Sequence, residues 1–244
     1  MKKILLLMIG TLALTACTVR MFNGGGKIIE ASDNIVTTEY ELDAFEEVDM
    51  HVVGNVVLIQ SDSINGMVEL TAPDNYIELY KFDSKNGKLG IGFTKDNINI
   101  HTKDVKITVY TTKLNTVHNS GTASMSMDSL NTDRLEVKNS GVGSFMLNKV
   151  VANDVTVRCS GVGDVAISGQ CDNADLSCSG TGHIRAKDLK SQNTKARVSG
   201  VGSISCHATE YLDGKVTGVG LLEYAGNPKK IDKNNPTTGK IKAL

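Results

Sequence analysis

The chain has 244 residues, a formal net charge of −1 and an aromatic content of 5%, with no tryptophan. This length is enough for one large all-β domain or two small ones. The balanced charge gives no reason to expect nucleic acid as a partner. The scarcity of aromatic rings disfavours the stacking platforms that are usual in carbohydrate and nucleic-acid grooves.

Residues 1–17 have the features of a lipoprotein signal peptide. Lys2 and Lys3 precede an apolar run from Ile4 to Leu14, which is too short to span a bilayer stably. The run ends in Leu-Thr-Ala-Cys17, the pattern of small residues before a cysteine that lipoprotein signal peptidase recognises. An ordinary secretory leader with a chance cysteine is the alternative, and both interpretations export the chain.

Lipid on Cys17 would hold the mature protein to a membrane, because each buried methylene contributes about 0.8 kcal/mol. The chain is therefore predicted to be a cell-envelope lipoprotein, anchored to the outer membrane on its periplasmic or its surface-exposed face. Residues 18–26 end in three glycines and are predicted to form a flexible tether.

The segment from residue 27 to about residue 118 is strand-like but has no repeat. Alternating runs such as Glu46–Val52 and Asn55–Gln60 are separated by turn signals, among them Gly54 and Asn86-Gly87. We interpret this segment as irregular early coils of a longer rod. A separate β-sandwich is the alternative.

A turn of the form Ser-Gly-x-Gly recurs from about residue 119 onward. Its first glycines are spaced by 20, 20, 19, 20 and 18 residues, a regularity typical of repeat architectures. The turn glycines are Gly121, Gly141, Gly143, Gly161, Gly163, Gly180, Gly182, Gly200, Gly202, Gly218 and Gly220. A narrow corner needs positive φ or a close backbone approach, which glycine tolerates. A phosphate cradle would need a helix after the glycines, whereas the pattern predicts a strand.

Between the turns, apolar and polar residues alternate. Leu135 and Val137 are predicted to point inward, and Glu136 and Lys138 outward, and the same alternation recurs in each period. A period of two is strand geometry, and stacked periods bury a continuous core. The sequence predicts an all-β, single-stranded parallel β-helix with coils of about 20 residues over 27–226, followed by a polar C-terminal cap or tail at 227–244.

Stacking also places polar residues in outward columns. One column contains Asp164, His183 and Ser203 on successive coils, which makes it a weak candidate for acid–base and nucleophilic chemistry. A second, basic column could meet an anionic polymer, although the acidic column beside it favours ordinary ion pairing. The basic column consists of Lys138, Arg158, Arg197 and Lys215.

Four cysteines remain after Cys17, and none shows the close spacing of a redox or zinc site. Cys159 and Cys178 occupy one inward column, and Cys206 occupies another. Free buried thiols are predicted, with a bridge between Cys159 and Cys178 as the alternative. The acidic residues are scattered over different columns, so no metal site or cofactor is predicted.

The sequence resembles the family of the putative auto-transporter adhesin head domain, or GIN domain. The resemblance rests on Tyr40-x-Leu42-x-x-Phe45-x-x-Val48, on the Ser-Gly-x-Gly turns, and on Tyr224-x-Gly226-Asn-Pro. It covers most of the mature chain, and it implies a β-helical fold with surface or periplasmic placement. It implies no catalytic residue.

The predicted function is a non-catalytic, lipid-anchored module that presents a rigid β-helical surface, as an adhesin or partner-binding protein. The predicted partners are the membrane through Cys17, a glycan or another envelope protein, and further copies of the chain, with no nucleic acid. The alternative is a carbohydrate-active β-helix enzyme, either a polysaccharide lyase or a hydrolase.

Overall fold

The computed structural model describes residues 28–234 and 238–244. The predicted signal peptide, the lipidation site Cys17 and the tether lie outside these residues. The described part contains nineteen strands and one 3-10 helix, Asp74–Leu79. The strands are β1 Ile35–Glu41, β2 Glu47–Met50, β3 Val53–Gln60, β4 Met67–Pro73, β5 Tyr80–Lys85, β6 Lys88–Phe93, β7 Lys106–Thr111, β8 Thr116–Asn119, β9 Thr122–Met127, β10 Leu130–Asn131, β11 Arg134–Asn139, β12 Phe145–Cys159, β13 Val162–Cys178, β14 Thr181–Val198, β15 Ser203–His207, β16 Tyr211–Val216, β17 Leu221–Ala225, β18 Lys230–Asn234 and β19 Lys240–Ala243.

Successive coils stack as parallel strands in the register that the repeat predicts. Leu135 of β11 pairs with Val155 of β12, which pairs with Ala174 of β13. Ala174 pairs with Thr194 of β14, and Thr194 pairs with Leu212 of β16. The predicted parallel β-helix with coils of about 20 residues is confirmed.

The inward columns form one continuous hydrophobic core that extends from Phe45 to Tyr224. Val157 and Ile184 of these columns are fully buried, whereas the outward Met146 is 54% exposed. Each buried aliphatic side chain stabilises the fold by about 1.5–3 kcal/mol relative to an exposed one. No single coil encloses a core by itself, so stability depends on contact between neighbouring coils.

The first coils are stacked out of sequence order. β2 lies between β6 and β8, and β3 lies between β7 and β9, all in parallel pairs. The chain therefore leaves the rod after β3 and returns to lay β6 and β7 on the outer side of β2 and β3. The antiparallel pairs β1–β4, β4–β7 and β5–β6 cover this end. All these strands belong to one sheet with the regular coils.

Parallel stacking also continues beyond residue 226. β18 pairs with β16 and β19 pairs with β17, so the segment predicted as a polar cap or tail adds two further strands to the rod. Every residue of β18 is exposed. Lysines at this last edge oppose pairing with another strand edge. They are Lys230 and Lys233 in β18, with Lys240 and Lys242 in β19.

Candidate functional site

The turn glycines bring successive coils into close backbone contact. A Cβ atom on Gly161 would lie 2.0 Å from the carbonyl oxygen of Gly141, and Gly143 has a φ of +144°. The backbone N–H groups of Ser160 and Gly161 both donate to the carbonyl oxygen of Asn139, at 3.0 and 3.2 Å. These N–H groups already have acceptors in the coil before, so the turn offers no phosphate cradle.

The column of Asp164, His183 and Ser203 is in register, as its spacing predicts. His183 Nδ1 lies 2.7 Å from Ser203 Oγ. The carboxylate of Asp164, however, accepts hydrogen bonds from the backbone N–H of His183 at 3.1 Å and from Arg185 Nη1 at 2.7 Å. Since Asp164 does not orient the imidazole ring, the three side chains form no catalytic relay.

A second cluster, which the sequence did not reveal, surrounds the buried side chain of Asp49 on β2. Lys88 Nζ lies 2.6 Å from Oδ2 of Asp49, and the ring nitrogens His51 Nε2 and His118 Nδ1 lie 3.2 and 3.1 Å from Oδ1. Neither ring N–H is aligned to donate a hydrogen bond to Oδ1, so these two contacts are electrostatic. Burial by itself would raise the pKa of Asp49, but Lys88 and the two imidazoles hold this pKa below its ordinary value.

The same cluster has the residue types of an Asp–His–Ser relay. His118 Nε2 lies 2.8 Å from Ser140 Oγ, and His51 Nδ1 contacts Ser120. Ser140 Oγ lies 3.1 Å from the carbonyl oxygen of Asn119, and the backbone N–H of Ser140 donates to the same oxygen. An oxyanion hole requires free donors beside the nucleophile, so this arrangement favours a structural role. It ties β2 to the coils on both sides.

The basic column is assembled as predicted, but its charges are largely paired. Lys138 Nζ lies 2.9 Å and Arg158 Nε 3.9 Å from the carboxylate of Glu136. Arg197 Nη2 lies 2.9 Å from Asp213 Oδ2. Half-exposed pairs of this kind contribute little to stability, but they offset part of the positive field that would attract a polyanion.

A polar groove lies on the same face of the rod and was not singled out from the sequence. It has a volume of about 320 Å³, and its wall contains Asp154, Asn173, Asn193 and Tyr211. These residues stand six positions before the Ser or Thr of successive turns. The spacing of the repeat could therefore have placed them in one column.

All four described cysteines are buried and free, as predicted. Burial raises the pKa of both Cys171 and Cys206 to about 12. A hydrogen bond with Cys178, together with burial, raises the pKa of Cys159.

Within the described residues, no group of three or more His, Cys, Asp or Glu is placed to hold a metal ion. No helix there is long and apolar enough to cross a membrane.

Comparison with known proteins identifies the family. Residues 44–228 match the family model of the putative auto-transporter adhesin, head GIN domain. The chain belongs to this family. The resemblance inferred from the turns and the flanking motifs is therefore confirmed. No curated protein matches the sequence.

Solved structures of similar fold support the assignment. A putative adhesin from Bacteroides fragilis is 30% identical, with a TM-score of 0.85 over 88% of this chain and 100% of that one. A putative lipid binding protein from Parabacteroides distasonis is 20% identical, with a TM-score of 0.72 over 89% of this chain and 100% of that one. A putative adhesin from Parabacteroides merdae is 20% identical, with a TM-score of 0.64 over 90% of this chain and 100% of that one. The last two show the shared fold alone.

Proposed function

We propose that this GIN-domain protein is a non-catalytic adhesin of the cell envelope, held to a membrane by lipid on Cys17, which binds its partner with the outward columns of the rod. The observation that carries the proposal is the family match over residues 44–228, whose description is that of an adhesin head. The stacked coils also suit this role, because parallel pairing on both sides fixes each outward column in place.

The side-chain geometry favours binding over catalysis. Asp164 is bound to Arg185 and to a backbone N–H, and does not support His183. The serine beside His118 has no free oxyanion donors. A carbohydrate-active enzyme would need a completed pair of acid and base groups at a cleft, and neither cluster supplies one.

The binding role is tested with a soluble chain that begins at Thr18. We expect saturable binding to bacterial or host surface glycans or to an envelope protein, measured by a glycan array and a pull-down, with no release of shortened products. Heat-unfolded protein is the control for non-specific adsorption. Turnover of a bound polysaccharide by the folded chain would overturn the proposal.

The anchor is tested in the full-length chain with Cys17→Ser. We expect the wild type to incorporate labelled fatty acid and to sediment with membranes, and the variant to do neither. Cys159→Ser is the matched control, since it removes a buried thiol and leaves the lipobox intact. A wild-type protein that carries no acyl label would contradict the lipid anchor.

A further inference from the structure

One wall of the polar groove is formed by four stacked polar side chains, which we call the ladder, and two of them are amides. Asp154, Asn173, Asn193 and Tyr211 pair in register on four successive coils. Asn173 Nδ2 donates to Asp154 Oδ1 at 3.0 Å, and Asn193 Nδ2 donates to Asn173 Oδ1 at 3.1 Å. A side-chain amide has two N–H donors and an oxygen with two lone pairs. For Asn173, the ladder uses one donor and one lone pair, so one of each is left for a ligand at a fixed orientation.

Tyr211 follows Asn193 in the same column and forms one end of the ladder. Its hydroxyl donates to Asp232 Oδ2 at 2.7 Å, and Lys230 Nζ lies 5.1 Å from the centre of its ring. These contacts hold the ring in place as part of the groove wall. A fixed aromatic ring beside hydrogen-bonding groups suits a ligand with one polar and one apolar surface, such as a sugar ring.

Charge argues against an anionic ligand. Of the charged residues that line the groove, two are cationic, Arg134 and Lys195, whereas three are anionic, Asp154, Asp175 and Asp213. The balance is therefore 2 − 3 = −1. Asp213 is paired with Arg197 beside the groove, which brings the balance to 3 − 3 = 0, so a polyanion would meet no excess of positive charge there.

Backbone pairing argues against an added peptide strand. Strands β12, β13 and β14 are each paired on both sides in this region. An extended peptide needs a free strand edge to extend a sheet, and the groove offers none.

We propose that this groove binds a linear, neutral glycan that lies along the axis of the rod. Each sugar places hydroxyl groups, which are both donors and acceptors, against one coil. Coils repeat about every 4.8 Å, close to the length of one extended sugar residue, so the four coils span about 14 Å and meet about three sugars. The inference rests on the proposed non-catalytic function and names the ligand class and the face that binds it.

The test uses the soluble chain from Thr18 and two kinds of probe, namely hexasaccharides of neutral β-linked glucose or mannose, and a hexasaccharide of uronic acid. We expect the double variant Asn173→Ala with Asn193→Ala to bind the neutral probe at least about tenfold more weakly than the wild type, which corresponds to about 1.4 kcal/mol. The uronic-acid probe should bind neither protein. Calorimetric titration measures the affinities.

Arg185→Ala is the matched control, because it removes an exposed contact between coils, to Asp164, on a different face of the rod. It should leave binding of the neutral probe unchanged. If the alanine double variant melts far below the wild type, Asn173→Thr with Asn193→Thr replaces it. Threonine suits an outward strand position and has no amide donors, so the same loss of binding is expected.

Each further outcome separates the two proposals. Equal binding by the wild type and the ladder variants, or binding of the uronic-acid probe alone, would show that the groove assignment is wrong and leave the adhesin proposal standing. Binding to cells or to an envelope protein, with neither oligosaccharide bound, would also show that the groove assignment is wrong and leave the adhesin proposal standing. Cleavage of the neutral probe would overturn both proposals.

Discussion

Substitution of a single turn glycine should destabilise the whole rod. In Gly161→Ala, the new Cβ would lie 2.0 Å from the carbonyl oxygen of Gly141 and 2.6 Å from that of Ser140, whereas ordinary contact begins at 3.4 Å. The first contact is therefore short by 3.4 − 2.0 = 1.4 Å. Both partners are backbone atoms, so no side chain can rotate away to make room.

The size of the expected stability loss follows from the backbone contacts that must separate to make room for the new Cβ. Relief of the contact pulls the corner off the coil before it, where Ser160 and Gly161 donate to the carbonyl oxygen of Asn139 and Val162 donates to that of Gly141. Loss of two such hydrogen bonds costs about 1 kcal/mol each, and residual strain adds about 1–3 kcal/mol. The free energy of unfolding should fall by about 3–5 kcal/mol, and Tm by about 6–20 °C.

Gly92→Ala is the matched control. A Cβ on Gly92 meets nothing within 4 Å, so this variant should keep its Tm or gain about 0.4–1 kcal/mol from a less flexible unfolded chain. Both variants are measured by circular dichroism melting and by urea unfolding. A Gly161→Ala protein that melts within about 2 °C of the wild type, a loss of less than about 1 kcal/mol, would refute the idea that close backbone approach selects these glycines.

Three further predictions concern the carboxylate cluster, the core and the thiols. Asp49→Asn should lower the free energy of unfolding by about 1–2 kcal/mol at neutral pH, since it deprives Lys88 of its carboxylate. Because the pKa of Asp49 is held below its unfolded value of about 3.9, this stability is present above that pH and is lost as pH falls through the folded pKa. Urea unfolding should therefore show that the wild type and Asp49→Asn differ less in free energy of unfolding at acid pH than at neutral pH. A difference that grows in acid would contradict this account. Ile184→Ala should cost about 2–5 kcal/mol in urea unfolding and the exposed Met146→Ala less than about 0.5 kcal/mol, so equal losses would mean that the assignment of inward and outward columns is wrong. In the soluble chain, Cys171 and Cys206 should react with a disulfide reagent at pH 8 only after denaturation, because burial raises both pKa values to about 12 and the thiolate is the reactive form; rapid labelling of either thiol in the folded protein would contradict this account.

The regular coils could be predicted residue by residue, because two physical periods coincide there. Strand alternation assigns Leu135 inward and Glu136 outward, and the glycine spacing aligns each coil with the next. Side-chain conformations could not be predicted in the same way. The spacing placed Asp164 beside His183, but its carboxylate turns to a backbone N–H and to Arg185.

The Asp49 cluster and the polar groove escaped prediction for different reasons. Asp49 and His118 are 69 residues apart in the sequence, and they meet only because β2 is stacked out of order between β6 and β8. No local pattern encodes that order. The column of Asn173 and Asn193 could be read from the repeat, but outward positions carry no hydrophobic signal. Whether an outward column becomes a groove depends on the sizes of the side chains in the columns beside it.

The out-of-order stacking also constrains how the protein acquires its fold. β2 and β3 are among the first strands to emerge during synthesis, yet their partners β8 and β9 extend to residue 127. Coils cannot therefore be added one at a time from the N-terminus, and the early segment must wait, unpaired on that side, for half of the chain. Contacts between distant residues form slowly, whereas each later coil pairs with its neighbour about 20 residues away. We expect folding to begin in the regular coils and to proceed toward the N-terminus, so that β2 and β3, although synthesised early, are among the last strands to pair.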